Sequence, residues 1–450
     1  MARIFGTDGV RGVANRELTV ELAMNLGKAG AYVLTKENAH RPTILVGCDT
    51  RISGGMLANA LMAGICSVGA DAVYAGVLPT PAIAYLTRTM GFDAGVVISA
   101  SHNPAEYNGI KFFSRTGYKL SDLLEDEIEE MLHTNSAELP MPLGDEVGKI
   151  TYAEDLRKKY IDFAVTLLPI DLSGLKIVVD CADGAASHTA GEALRRLGAE
   201  PVVIHNEPDG VNINRSCGST HMEELKERVV REGADIGIAF DGDADRMLAV
   251  DERGHLVDGD QIMAICGLFL KNKGKLKKDT IVATIMSNLG FFQMGAREKL
   301  NIAQTKVGDR YVLEYMIANG CNLGGEQSGH IIFLDENTTG DGLLSAIHLL
   351  QVLVESGQKL SELASVMKVL PQALVNARVS NLKKEYYMNN SVVANAIAEL
   401  EKKFDGAGRV LIRPSGTEPL VRVMIEGDDQ KYIEEEAVKL ARLIEENIGE

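Results

Sequence analysis

Tryptophan is absent from the 450 residues, and aromatic side chains of all kinds make up 5% of them. That scarcity removes the stacking platforms on which single-stranded nucleic-acid binding relies. Positive charge is also in the minority: 46 Lys and Arg stand against 63 Asp and Glu, a net −17. A field of that sign repels a phosphate backbone, so nucleic acid is not an expected partner. No run of 18 apolar residues occurs, and Met1 to Gly12 lack the apolar core of a secretory signal, so neither a membrane span nor export is expected. The six cysteines, Cys48, Cys66, Cys181, Cys217, Cys266 and Cys321, show no Cys-x-x-Cys spacing and are expected to be reduced, mostly buried small hydrophobes. A cytoplasmic protein without a membrane partner follows.

Glycine, by contrast, is plentiful at 45 residues of 450, above the usual level of about 7%. Many tight turns or close backbone approaches to a ligand are implied. At a prior of about 150 residues per domain the chain holds roughly three domains, and a single small core is excluded.

An apolar β-type run, a small polar turn, a helical run and a second apolar run recur three times. The first copy is Thr43 to Val46, Gly47 to Gly55, a helix from Met56 to Val68 and Ala72 to Tyr74. The second starts at Ile177 to Val179 and ends at Val202 to Ile204. The third runs from Ile281 to Ala283, through a helix near Leu300, to Ile302 and Ala303. Each reads as a βαβ unit with Gly just past the helix, which predicts three similar mixed α/β domains with largely parallel strands. After Pro371 the pattern becomes strand, helix, two strands and helix, a smaller α+β domain. Thr134 to Gly148 reads as a linker, and Leu248 to Leu256 as a hairpin closing the second domain. The expected segments are 1–150, 151–255, 256–370 and 371–450.

Four segments at the edges of apolar runs carry chemistry. Ser99-Ala100-Ser101-His102-Asn103-Pro104 follows the apolar Ala94 to Ile98, which predicts Ser101 at a strand tip with its hydroxyl exposed. His102 and Asn103 beside it could orient or solvate an oxyanion. A hydrolase elbow, Gly-x-Ser-x-Gly, is not present at this position. Asp241-Gly242-Asp243-Ala244-Asp245-Arg246 sets three carboxylates at alternate positions, which repel one another without a hard cation such as Mg²⁺. The EF-hand alternative fails, because Arg246 stands where that loop needs Gly and strands rather than helices flank it. In Gly324-Gly325-Glu326-Gln327-Ser328-Gly329-His330, an extended loop would turn Glu326, Ser328 and His330 to one side, suited to sugar hydroxyls; a glycine-rich hairpin is the simpler alternative. Arg413-Pro414-Ser415-Gly416-Thr417-Glu418-Pro419 joins two strands and offers a guanidinium fork, hydroxyls and backbone N–H groups to a phosphate. Arg11, Lys111, Arg246 and Arg310 lie in glycine-rich or strand-edge contexts and could line a positive cleft despite the acidic total.

These four segments in this order, preceded by Phe5-Gly6-Thr7-Asp8-Gly9-Val10-Arg11-Gly12, resemble the α-D-phosphohexomutase family along the whole chain. Ile98 to Ser101, the Gly-Glu-Gln-Ser-Gly-His run and Val307-Gly308-Asp309-Arg310-Tyr311 are most similar to its bacterial phosphoglucosamine mutase branch; phosphoglucomutase/phosphomannomutase is the runner-up. The resemblance implies four domains around a central cleft, each giving one loop: phosphoserine loop, metal-binding loop, sugar-binding loop and phosphate-binding loop in chain order. It implies that Ser101 carries the phosphoryl group and that Asp241, Asp243 and Asp245 hold one Mg²⁺ together with a phosphoserine oxygen of Ser101. Arg413, with Ser415, Gly416 and Thr417, would hold the phosphate that is not reacting, Glu326 and Ser328 would grip the sugar, and Arg11 would be a further substrate-binding residue. His102, Lys111, Arg246 and His330 would serve proton transfer and charge stabilisation. The implied reaction converts glucosamine 6-phosphate to glucosamine 1-phosphate through a 1,6-bisphosphate, in amino-sugar metabolism that feeds peptidoglycan precursor synthesis. A hexose 1,6-bisphosphate or another phosphoryl donor would activate the serine. The resemblance also allows a homodimer. Two rivals from other classes are a metal-dependent phosphatase and a non-catalytic sugar-phosphate sensor.

Overall fold

Ala94–Ile98 and Thr43–Cys48, rich in Val and Ile, pair in parallel with their residues almost wholly buried, as strands covered on both faces must be. They form the centre of a seven-stranded sheet whose order is Phe5–Gly6, Gly9–Val13, Tyr107–Ser114, Ala94–Ile98, Thr43–Cys48, Asp71–Val77 and Ile150–Tyr152. This computed structural model describes residues 3–6, 8–134, 139–153, 155–415 and 418–449. The chain divides into two compact units, residues 1–286 with 300–366, and residues 287–299 with 367–450.

The first unit holds three sheets. The second sheet runs Leu256–Val257, Met247–Asp251, Ile236–Phe240, Ile177–Asp180, Val202–Ile204, and the third Asn301–Thr305, Thr280–Thr284, Leu323–Gly325, Ile331–Phe333. The three expected βαβ repeats are present, but the sheets are mixed rather than largely parallel. In each, a hairpin partner runs antiparallel beside the parallel core, and that partner returns the chain across the functional loop. The helix of the third repeat, Leu289–Glu298, ends without glycine: Lys299 takes the left-handed conformation at φ +55°. The segment read as a linker includes a short 3₁₀ turn at Gly144–Glu146, and Ile150–Tyr152 beyond it adds a seventh strand to the first sheet; residues 135–138 lie outside the described residues.

In the second unit, Gln372–Arg378, Leu420–Glu426 and Arg409–Pro414 form an antiparallel sheet in that order. Ser391–Phe404 and Gln430–Ile448 bury Val393, Ile397, Leu400, Ile433, Leu440 and Ile444 with it, on the i, i+3, i+4, i+7 spacing that makes one helix face apolar. All six cysteines are free and buried. Among the described residues no helix is long and apolar enough to cross a membrane.

Candidate active site

Three of the four chemical segments lie at carboxyl ends of sheet strands in the first unit, where mixed α/β sheets present ligand sites. Ser101 follows Ala94–Ile98, but its hydroxyl is not exposed: the residue is 1% accessible. It sits in the left-handed region at φ +52°, a conformation that costs a non-glycine residue on the order of 1–2 kcal/mol. Its Oγ donates to Asp241 Oδ2 at 2.5 Å. The cover comes from the Asp241–Asp245 loop of the second sheet. A Cβ on Gly242 would stand 2.6 Å from the Ser101 carbonyl oxygen, so only glycine allows the two loops to close.

The acidic loop bends at Ala244, φ +54°, and the bend gathers oxygens of Asp241, Asp243 and Asp245 within 4.8 Å of one another. All three residues are buried. Asp241 Oδ1 accepts the Arg246 N–H at 3.2 Å; Asp243 Oδ2 accepts from Thr80 Oγ1 at 2.6 Å and from Lys111 Nζ at 2.8 Å. Asp243 Oδ1 and Asp245 Oδ1 are buried without a hydrogen-bond partner. Orphaned carboxylate oxygens beside one another are what a hard divalent cation satisfies, so the residues fit Mg²⁺. Burial, then repulsion from Asp245 and Asp243, pushes the Asp241 carboxyl far above the usual range. Burial opposes ionisation of Asp245 too, yet His330, Lys111 and Arg246 hold it well below that range. The flanking strands, Ile236–Phe240 and Met247–Asp251, exclude the EF-hand.

The Gly324–His330 segment is a tight hairpin rather than an extended loop: Gly329 N–H closes on the Glu326 carbonyl at 3.0 Å with φ +92°. This corrects the expectation of three side chains on one side. Reversal of the chain leaves Glu326 and His330 facing the cleft while Ser328 does not line it, and Ser328 Oγ is buried without a partner. Glu326 Oε1 accepts the Gly308 N–H at 3.1 Å. His330 Nε2 accepts the Gly340 N–H at 3.1 Å, so its proton sits on Nδ1, 3.4 Å from Asp245 Oδ2. Any Cβ on Gly340 would fall 2.6 Å from three imidazole atoms.

A cleft of about 430 Å³ joins the three sheets, lined by Arg11 and His102 from the first, Arg246 from the second, and Glu326 and His330 from the third. Burial, with Arg246 and Arg11 nearby, lowers His102 to about 4, so its ring is neutral 3.4 Å from Ser101 Oγ. Arg11 and Arg246 line the cleft as cations, and each keeps a buried Nε without a hydrogen-bond partner. Lys111 is 2% accessible. Burial disfavours its charge, but Asp243 at 2.8 Å and Asp8 at 2.9 Å hold it as an ammonium above its ordinary range. It is a fixed cation rather than a proton carrier. Arg310 lies elsewhere, bonded to Asp122 and the Leu120 carbonyl.

Asp8, Lys119 and Asp309 also line this cleft, and reading the sequence had not singled them out as site residues. Lys119 bonds both Asp8 at 2.6 Å and Asp309, and Asp309 stands 3.6 Å from His330 Nε2. They continue the alternating series of Asp243, Lys111 and Asp8 across to the third sheet. Asp8 and Asp309 lie within the Phe5–Gly12 and Val307–Tyr311 motifs, but nothing local in sequence marks their pairing through Lys119; only the need of each buried charge for a counter-ion does.

Outside the cleft, Asp180, His205 and Cys217 form a second group with metal-ligand atoms within 4.8 Å. Both Asp180 oxygens already accept backbone N–H groups, from Ala182 at 2.8 Å and Gly218 at 2.9 Å, and His205 supplies the counter-charge 3.1 Å away. Asp180 is therefore satisfied by hydrogen bonds and an ion pair, without a metal ion.

In the second unit, Arg413 and Arg422 face each other on paired strands. Like charges opposite each other are unfavourable in a sheet. Burial, then Arg422, lowers the Arg413 pKa. The Ser415 carbonyl is held by the buried Lys384 ammonium, which also reaches the Glu418 carbonyl at 3.1 Å, and Ser415 Oγ accepts the Glu418 N–H at 3.2 Å. Gly416 and Thr417 lie outside the described residues.

Four family descriptions match the chain in order: phosphoglucomutase/phosphomannomutase alpha/beta/alpha domain I over residues 2–139, domain II over 151–254, domain III over 258–370, and the C-terminal domain over 374–443. The chain is 61% identical over 449 residues to a phosphoglucosamine mutase of Acetivibrio thermocellus, covering 100% of both. It is 61% identical over 445 residues to one of Ruminiclostridium cellulolyticum, covering 99% of each. Its fold is similar to the crystal structure of a phosphoglucomutase/phosphomannomutase family protein from Burkholderia thailandensis, with TM-score 0.80, 24% identity and 98% of each chain covered. With the Ser101 and Asp241–Asp245 loops joined at one cleft and all four domains matched along its length, the chain belongs to the α-D-phosphohexomutase (phosphoglucomutase/phosphomannomutase) family.

Proposed function

We infer that this chain is a phosphoglucosamine mutase, an isomerase that interconverts glucosamine 6-phosphate and glucosamine 1-phosphate through phosphoserine 101 and a 1,6-bisphosphate. The observation that carries the reading is the Ser101 Oγ at 2.5 Å from Asp241, in a buried group of three aspartates with two unpartnered oxygens. Phosphoryl transfer is mainly positioning and charge neutralisation, and this group offers a positioned hydroxyl beside carboxylates that fit a cation. The full-length likeness to phosphoglucosamine mutases supports the amino-sugar substrate over the glucose and mannose phosphates.

In this reading Asp241, Asp243, Asp245 and a phosphoserine oxygen hold one Mg²⁺, which neutralises phosphoryl charge. Arg11, Lys111 and Arg246 supply fixed positive charge around the reacting phosphate. His330 handles the proton of the sugar oxygen, with the neutral His102 beside the serine, and Glu326 grips the ring. Ser328, in the same hairpin, is the second residue proposed for the sugar. Arg413, Ser415, Gly416 and Thr417 bind the phosphate that is not reacting, from a domain of their own. Domain limits of 1–150, 151–255, 256–370 and 371–450 give each domain one loop. A hexose 1,6-bisphosphate or another phosphoryl donor charges Ser101. The six buried free thiols suit a cytosolic enzyme, and a homodimer is the assembly proposed.

The test is side-by-side turnover of glucosamine, glucose and mannose 6-phosphates, with phosphopeptide mapping and a Ser101→Ala variant. Preference for glucosamine 6-phosphate, phosphate on Ser101 and loss of isomerisation in a folded variant are expected. Release of inorganic phosphate in place of isomer would make the protein a phosphatase. An unphosphorylated, inactive wild type would make it a sensor.

A further inference from the structure

The backbone of Ser101 is held on both sides by residues that do not line the cleft, Asn214 packing against Gly242 of the acidic loop as well. Arg51 is buried to 3% accessibility in front of helix Ile52–Ser67. Its Nε donates to Asp49 Oδ2 at 2.8 Å. One terminal nitrogen donates to the Tyr107 carbonyl at 3.0 Å and to that of Pro104, and the other to the Ser101 carbonyl at 2.9 Å and that of Asn103 at 2.7 Å. A guanidinium has five N–H donors, and all five are used, four of them on backbone carbonyls between residues 101 and 107.

The N–H side of Ser101 leads to the same pair. Ser101 N–H donates to Ser99 Oγ at 3.0 Å, and Ser99 Oγ donates to Asp49 Oδ2 at 2.6 Å. From the second domain, Asn214 Nδ2 donates to the Ser101 and Asn103 carbonyls at 2.9 and 3.1 Å. Thr50 and Ile52, on either side of Arg51, bond the Asp183 and Gly210 carbonyls of that domain at 2.6 and 2.8 Å.

We propose that Arg51, seconded by Asn214, is the positioning residue that fixes Ser101 in its left-handed conformation, so that Oγ presents the same position when it receives a phosphoryl group and when it gives one up. The proposal rests on the mutase reading. Stability alone is a poor account, since a buried ion pair is often replaceable by apolar side chains at no loss. The precision of a planar fork spanning four carbonyls is what an apolar residue, or the single-point ammonium of lysine, would lack. Reacting atoms displaced by about 1 Å lose on the order of 100-fold in rate.

The experiment compares wild type, Arg51→Lys and Asn214→Gly. Arg51→Lys keeps a charge beside Asp49; Asn214→Gly keeps φ +58° without strain and leaves no buried charge, so it decides the matter if the lysine variant does not fold. Both should lower kcat at least about 10-fold with KM for glucosamine 6-phosphate within about twofold, because the cleft residues are untouched. Phosphorylation of Ser101 by glucose 1,6-bisphosphate should slow in parallel, and amide exchange across residues 99–107 should rise. Leu26→Ala, a core change in helix Val20–Thr35, should lower Tm while kcat stays. Unchanged kcat in the variants, or an equal fall in kcat for Leu26→Ala, overturns the proposal. A wild type that carries no phosphate on Ser101 overturns the mutase reading instead, and amide exchange on that protein still decides whether Arg51 and Asn214 fix the loop.

Discussion

Ser101 Oγ and Asp241 Oδ2 lie 2.5 Å apart, although 140 positions separate them in the chain and they stand in loops that follow strands of different sheets. A hydroxyl at that distance needs an ionised or hydrogen-bonding carboxylate, while burial and the neighbouring aspartates disfavour ionisation of Asp241. A cation resolves the conflict by stabilising all three carboxylates, and the first prediction concerns it.

Asp243→Asn should raise the Mg²⁺ concentration needed for half-maximal activity and lower kcat, because one anionic ligand of a hard cation is lost at constant size. The same change leaves Lys111 with only Asp8 as its carboxylate partner, so a stability loss of about 1–3 kcal/mol should accompany it, less than for a buried charge left wholly unpaired. Metal titration and urea unfolding measure the two effects. Full activity of wild type after chelator treatment would remove the metal from the account.

Glu326→Gln should narrow the preference for glucosamine over glucose 6-phosphate. Phosphate contacts are common to both sugars, whereas the 2-ammonium can pair only with a carboxylate, and Glu326 keeps one oxygen beyond the Gly308 N–H it accepts. Loss of a charged contact at about 1–3 kcal/mol corresponds to a narrowing of roughly 5- to 150-fold. The ratio of kcat/KM values in wild type and variant reports it, and an unchanged ratio places selectivity elsewhere.

Arg413→Lys should raise KM for the sugar phosphate and weaken bisphosphate binding, leaving phosphoserine in place. The guanidinium stands opposite Arg422 across paired strands, and a bound phosphate would offset that repulsion as well as accept the bidentate fork that lysine lacks. Unchanged KM together with loss of phosphoserine would assign Arg413 a different role.

The chemical loops were legible because each is contiguous and breaks the local pattern. Three carboxylates spaced by glycine and alanine cannot be a comfortable strand or helix. Buried partners were not legible. Asp8, Lys119 and Asp309 lie up to 301 positions apart and are joined only by the neutralisation of charge inside a cleft. Arg51 lies within the Gly47 to Gly55 turn of the first repeat, where nothing distinguishes it, and its role depends on a loop 50 positions later folding onto it. Ser101 looked exposed because the strand before it was visible and the loop that covers it was not. The path of the segment around Ser328 was not legible because alternation along an extended chain and a hairpin turn share the same composition; the left-handed Gly329 decides between them.

His205 yields a prediction about pH rather than catalysis. The imidazole contacts Asp180 Oδ2 at 3.1 Å and Glu224 Oε2 at 3.2 Å, and Asp180 first, then Glu224, raises it from 6.5 to about 9 against the opposing effect of burial. Because the folded value exceeds the unfolded one, the pair stabilises the fold fully below about pH 6.5, and the contribution disappears as pH rises through about 9. A shift of that size would correspond to about 3 kcal/mol if fully buried; the ring is partly exposed, and solvent screening reduces it to about 1–2 kcal/mol. His205→Asn should therefore lower stability by that amount at pH 6, and the gap from wild type should close by pH 9.5 to 10. The variant must also give up the left-handed histidine at φ +46°, but asparagine adopts that conformation readily, so backbone strain does not mask the effect. Unfolding free energies of both proteins across this range measure it, and a gap that stays constant with pH would show that His205 is not the charged partner of Asp180.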